Sequence, residues 1–111
     1  MKLNVITRLS LLSNLPEQGS LEQMLNKRNV RNKITFSSEE LEKMNLETSE
    51  QGIKWLPIDD IDVDFTNTEL KYLKGVIDTL SEKGLINEGI VDFAIEVTDI
   101  VGNMENSNKA E

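Results

Sequence analysis

Four aspartates, Asp59, Asp60, Asp62 and Asp64, fall within six positions inside the stretch WLPIDDIDVDFTNTE, residues 55–69. Dense carboxylates are what a calcium loop is made of, so the spacing is tested against one first. Such a loop takes acidic ligands at its first, third and fifth positions, glycine at the sixth and a bidentate glutamate at the twelfth. Counted from Asp60, the first three ligands fit. The sixth position is Phe65, which resists the backbone geometry that glycine supplies, and the twelfth is Lys71, a cation where an anion is needed. The stretch is therefore read as a strand. Ile61, Val63 and Phe65 alternate with the aspartates, the period of a segment with one face in the core and one in water. Like charge along the open face of a short edge strand also discourages pairing with another edge.

The remaining inventory for chemistry is thin. The chain has no cysteine and no histidine. That excludes disulfides, thiolate nucleophiles, the usual zinc ligand sets and imidazole acid–base catalysis. Carboxylate pairs such as Asp59/Asp60 or Glu39/Glu40 would serve as acid and base only if held face to face. Neighbours on a strand point to opposite sides. Trp55 and Tyr72 read as core or surface anchors, since so few aromatics are present to build a pocket. The expectation is no enzyme, no cofactor and no metal.

The elements that would carry these residues follow from caps and periodicity. Asn4 caps a leucine-rich helix over residues 4–13, with Leu3, Val5, Ile6, Leu9 and Leu12 on its apolar side. Asn4, Thr7, Arg8, Ser10, Ser13 and Asn14 interrupt what would otherwise resemble a signal peptide, and the protein is expected to be intracellular at synthesis. Pro16 and Gly19 break this helix. Ser20 and Gln23 form a capping box for a second helix, with Leu21, Met24 and Leu25 expected inward. Ser37 and Glu40 open a third, with Phe36 and Leu41 placed to staple its start and Asn45 to stop it. A hairpin is expected over residues 46–56, turning at Gln51-Gly52. The aspartate strand at 60–65 joins it in one small antiparallel sheet. Thr66 and Glu69 cap the strongest helix, whose stripe is Leu70, Leu73, Val76, Ile77 and Leu80, and Gly84 stands at its left-handed end. Asn87 caps a last helix that is apolar over more than one face and is closed by Gly102.

Charge is unevenly spread. Residues 1–36 hold six Lys/Arg and two Asp/Glu, a net of +4, whereas residues 37–111 hold six and eighteen, a net of −12. Lys27, Arg28, Arg31 and Lys33 are the one cationic cluster, with no aromatic interleaved for stacking on bases. The order helix, helix, helix, hairpin is that of a winged helix-turn-helix. Its reading helix would be SSEELEKMN, three glutamates and one lysine, which phosphates repel. DNA reading through that element is rejected on that ground, and no direct nucleic-acid partner is expected. A hydrophobic run long enough for a membrane span is also absent from the sequence.

The stretches LSLLSNLPEQGSLEQM (residues 9–24), ITFSSEELEKMNL (34–46) and DFTNTELKYLKGVIDTLSEKGLI (64–86) resemble a family of small proteins of unknown function encoded by tailed phages and prophages. The shared features are a leucine-rich first helix ending in a Leu-Pro-x-x-Gly turn, a Phe-Ser-x-Glu-Glu helix start, and a Thr-x-x-Glu helix with a leucine stripe. The likeness spans residues 3–86. The last helix departs from it, lacking the aromatic expected near its end. These motifs are caps and core positions, so the resemblance implies a fold and a setting, and no catalytic residue.

The sequence is thus read as one α+β domain over residues 1–102, with about five helices and a small antiparallel sheet, followed by a disordered tail at 103–111. The function expected is a protein–protein interaction or self-assembly module of a phage or prophage, in an accessory or virion-assembly role, in the host cytoplasm or on the virion. The contact candidates are Lys27, Arg28, Arg31 and Lys33, the strand aspartates Asp60, Asp62 and Asp64, and Val97, Ile100 and Val101 of the last helix. The alternative is an acidic inhibitor in which Glu47, Glu50, Asp59, Asp60, Asp62 and Asp64 gather on one side of the sheet and mimic DNA toward a basic host protein.

Overall fold

Three Ser/Thr-x-x-Glu/Gln caps fix where the middle helices begin. The computed structural model describes the backbone of residues 1–109 and the side-chain surroundings of residues 1–104. Among them lie β1 (Lys2–Leu3), α1 (Val5–Asn14), α2 (Leu21–Ile34), α3 (Ser38–Met44), β2 (Glu47–Ser49), β3 (Gly52–Lys54), β4 (Ile61–Asp62), α4 (Asn67–Glu82) and α5 (Val91–Lys109). Ser20, Ser37 and Thr66 each accept a hydrogen bond from the N–H three residues on, and the Gln or Glu there reaches back to the cap N–H. Each box satisfies two of the N–H groups that a helix start leaves open. Asn4 caps α1 by accepting from the Thr7 N–H at 2.8 Å. Asn45 ends α3 in the left-handed region. Gly84, at φ 69°, lets the Leu85 N–H turn back to the Leu80 carbonyl at 2.8 Å and so closes α4.

The core forms where α4 meets α5 on one side and α2 on the other. Leu70, Leu73, Val76, Ile77 and Leu80 come from α4, Phe93, Ala94, Val97 and Val101 from α5, and Val30 and Ile34 from the second half of α2. Leu3, Leu11 and Leu15 complete it from the N-terminal side. The last helix enters through a turn, where Asn87 accepts from the Gly89 N–H at 2.8 Å. The Thr7 hydroxyl of α1 donates to the Gly89 carbonyl at 2.9 Å, pinning that turn to the first helix. A Cβ on Gly89 would stand 2.5 Å from the Ser10 hydroxyl and 2.9 Å from Ile6, so the close approach needs glycine.

The α+β class is as expected, with five helices, but the strands are divided differently. Among the described residues there are two separate two-stranded antiparallel sheets, β1 with β4 and β2 with β3. Lys2 pairs with Asp62 and Leu3 with Ile61. The Val63 N–H also bonds the Met1 carbonyl at 2.8 Å. This partner is preferred because it buries Leu3 and Val63 in one core, whereas every residue of β2 and β3 is exposed.

Two further expectations are corrected. Leu21 and Leu25 point out from α2, Leu21 being 78% exposed, because the first half of this helix stands away from the core. The last helix passes through Gly102 to Lys109. Gly102 is not in the left-handed region, and in a continuing helix it costs only about 1 kcal/mol. Val101 in the core and Met104 packed against it hold the helix on both sides of the glycine. The final positions of the expected tail, 110–111, lie outside the described residues.

Candidate functional site

Arg8 interrupts a run of apolar residues in α1, and the fold buries it: it is 1% exposed. Its guanidinium donates from Nε to the Ile34 carbonyl at 2.9 Å and from Nη2 to the Thr35 carbonyl at 2.8 Å. Nη1 and Nη2 take the two Glu40 oxygens at 2.7 and 3.0 Å. The Phe36 ring lies 4.0 Å below the guanidinium carbon. A planar fork with several donors is what such a corner needs, since each buried donor must find an acceptor. Glu40 is at the same time the glutamate of the α3 capping box, accepting from the Ser37 N–H at 3.0 Å. The Arg8 hydrogen bond, aided by Ser37, holds the Glu40 carboxyl down to about 2 against the opposing effect of burial.

A second corner is built on the same plan. Phe65-Thr66-Asn67-Thr68-Glu69 repeats the pattern of Phe36-Ser37-Ser38-Glu39-Glu40, an aromatic, a hydroxyl cap, two spacers and a glutamate. Here Lys33 of α2 bridges to Glu69 at 2.6 Å and donates to the Asp64 carbonyl at 2.8 Å, with its ammonium 6.0 Å from the Phe65 ring. Burial pushes the Glu69 carboxyl up, but Lys33 and the Thr66 cap outweigh it, and the net displacement is downward.

These corners absorb one expected contact residue and leave others open. Lys33 is engaged inside the fold, whereas Arg28 and Arg31 are exposed on α2 and Lys27 is half-buried. Val97 and Val101 leave the contact list because both are buried in the core, and Ile100 is half-buried and packed against it. The aspartate strand stands as the alternation predicts, with Val63 buried, Ile61 and Phe65 half-buried, and Asp60, Asp62 and Asp64 exposed. Asp62 pairs with the Met1 ammonium at 2.9 Å, and this contact lowers the Asp62 carboxyl and raises the amine. The expected gathering of hairpin and strand carboxylates on one sheet does not occur, since the two belong to different sheets. Phe36 meets Arg8, and Leu41 is exposed.

Two surfaces not foreseen from the sequence are the more distinctive. The first is the β2–β3 hairpin, all of whose strand residues are exposed. Its register sets Thr48 opposite Ile53 and Glu47 opposite Lys54, so one side is polar and charged. Ile53 is exposed on the other side, and Leu46, Leu56 and Leu41 are exposed around the hairpin's base. The second surface is a groove of about 840 Å³ between the first half of α2 and α4. Met24, Tyr72, Val76 and Leu80 give it an apolar floor, and Lys71 and Lys83 stand on its α4 side. The Tyr72 hydroxyl is buried without a hydrogen-bond partner. Burial pushes this phenol upward. No sequence signal announces the groove, whose α2 wall is Glu22, Gln23, Met24 and Asn26 and does not include the exposed Leu21 and Leu25.

Among the described residues no three carboxylates stand together as a cation site, and no helix is long and apolar enough to cross a membrane. No protein-family model, no curated protein and no solved structure matches the chain.

Proposed function

We propose that this chain is a non-enzymatic protein–protein interaction module, in an accessory or virion-assembly role for a phage or prophage, with the β2–β3 hairpin as its docking element. The setting rests on the sequence resemblance over residues 3–86. The observation that carries the docking role is the hairpin: all six of its strand residues are exposed, and Ile53 with Leu46 and Leu56 at its base stays 41–56% exposed. A two-stranded hairpin alone in water is marginal, and covering its apolar side stabilises it. Chemical cross-linking in cells producing the chain tests this. The wild type is expected to cross-link to a protein, itself or another, and Ile53→Asp/Leu56→Asp to lose that product while keeping its circular dichroism. Equal cross-linking by both forms overturns the proposal.

A second reading, an acidic inhibitor of a basic host protein, draws support from a different surface. Asp60 lines a hollow of about 190 Å³ together with Glu88, Asp92 and Glu96 of the turn and helix beside it. Asp60→Asn/Asp62→Asn/Asp64→Asn would abolish capture of a basic host protein under this reading, and would leave hairpin-dependent cross-links unchanged under the first.

A further inference from the structure

The segment between α2 and β4 is fastened to the rest of the chain at few points. The main core draws on Val30 and Ile34 before it and on Ile61 and Val63 after it, and on no residue of 36–59. Within 36–59 only Met44 is buried, and it lies outside that core. Phe36, Glu40, Trp55 and Ile58 are half-buried, and the other residues are exposed. Among the described residues, the hydrogen bonds that join this segment to the body are the two that Arg8 donates to Glu40. The Phe36 ring lies against the same guanidinium. The other Arg8 acceptors, the Ile34 and Thr35 carbonyls, belong to the end of α2, so Arg8 keeps them if Glu40 departs.

We infer that residues 36–59 form an arm that opens as one unit from a body that stays folded, with the Arg8–Glu40 pair as its latch. The hinges are Thr35, the extended residue that ends α2, and the irregular stretch at 55–60 that leads into β4. The parts of the arm depend on one another. A helix of seven residues does not hold alone in water, and neither does a two-stranded hairpin. They are joined where the Leu56 N–H bonds the Met44 carbonyl at 2.7 Å, so unseating Met44 loosens both. The docking hairpin rides on this arm and gains reach when it opens.

Native-state hydrogen exchange of the whole chain tests this, read at the Leu41, Asn45 and Leu56 amides of the arm and the Leu73 and Ile100 amides of the body. After correction for intrinsic rates, the arm amides are expected to exchange at least about a hundredfold faster than the body amides. Val97→Ala weakens the body equally with the arm open or closed, so it should quicken the body amides and leave the arm amides unchanged. Ile77→Val serves in its place should the alanine unfold the chain. Glu40→Gln keeps a side chain able to close the capping box but weakens the latch. It should quicken Leu41, Asn45 and Leu56 by a common factor of about ten or more. Arm and body amides that exchange alike, a Val97→Ala that quickens both by the same factor, or a Glu40→Gln that quickens Leu41 but not Leu56 each overturns the inference. The Ile53-dependent cross-link tests the docking role by itself, so an arm that stays shut leaves that role standing.

Discussion

The two Phe-Ser/Thr-x-x-Glu corners share a plan but divide their burial in opposite ways. In the Arg8 corner the cation is 1% exposed and Glu40 is 24% exposed. In the Lys33 corner the acid is the hidden partner, at 6%, and the lysine is 34% exposed. The difference follows from the donors. A guanidinium can be taken fully out of water because its fork reaches two carbonyls and both oxygens of one carboxylate. An ammonium is a compact, strongly hydrated charge, and here it keeps partial contact with water while the glutamate is satisfied by the cap and the lysine. In each corner a glutamate that starts a helix also receives a cation from an earlier one, α1 to α3 and α2 to α4.

Four measurements break or sharpen this contrast. The largest effect is expected for Arg8→Met, which strands the Ile34 and Thr35 carbonyls and removes the partner of Glu40. Urea unfolding at neutral pH should show a loss of about 3–5 kcal/mol, with Arg8→Lys recovering less than half, because an ammonium cannot reproduce the fork. A lysine that restores full stability would remove the distinction between the corners. Lys33→Met should cost about 2 kcal/mol, less than Arg8→Met, since the lysine is partly solvated and the Glu69 cap bonds remain. Lys33→Met/Glu69→Gln should regain most of it.

The third measurement is the pH profile. Glu40 is depressed from 4.5 to about 2. A depressed carboxylate contributes stability that is whole above about 4.5 and is lost as the pH falls through about 2. Glu69 is also lowered, so it adds loss of the same sign in acid. Glu40→Gln should cost about 2 kcal/mol at pH 7, after discounting for its partial exposure, and should flatten the acid limb of the stability curve. An unchanged acid limb in that variant would place the titration elsewhere. The smallest effect separates the aromatics. Phe36→Leu should destabilise by about 0.5–1 kcal/mol more than Phe65→Leu, as the ring–cation approach is 4.0 Å in one corner and 6.0 Å in the other.

What was legible in the sequence was local. The caps at Ser20, Ser37 and Thr66, the stops at Asn45 and Gly84, and the inward row of Val63 beside outward aspartates all depend on neighbours a few positions away. What was not legible depends on partners far along the chain. Arg8 reads as a solvent-facing break in a leucine run until Glu40, 32 residues on, is brought beside it. Lys33 reads as one of four surface cations, yet its acceptor is 36 residues away. The β1–β4 pair is two residues long on each side, too short for any alternation to announce it. Leu21, Met24 and Leu25 have helical spacing, but spacing does not say whether another element lies against that face, and here none covers the two leucines. The hairpin was foreseen and its isolation was not, because alternation marks a strand and is silent about which sheet it joins.

The tie between Thr7 and Gly89 has a consequence for how the chain is made. It closes a loop of 82 residues, and the Met1 amine reaches Asp62 and Val63 across 61 and 62. A chain emerging from the ribosome can seat its first helix on the Ile34–Glu40 corner through Arg8, but the tie to the turn before α5 must wait until Gly89 is outside the exit tunnel. Loops of this length close slowly and only once the far partner exists. Synthesis stalled or cut short before Gly89 would therefore leave Thr7 without its acceptor and the core without Ile90, Phe93, Val97 and Val101, a nascent species recognisable by its binding to chaperones.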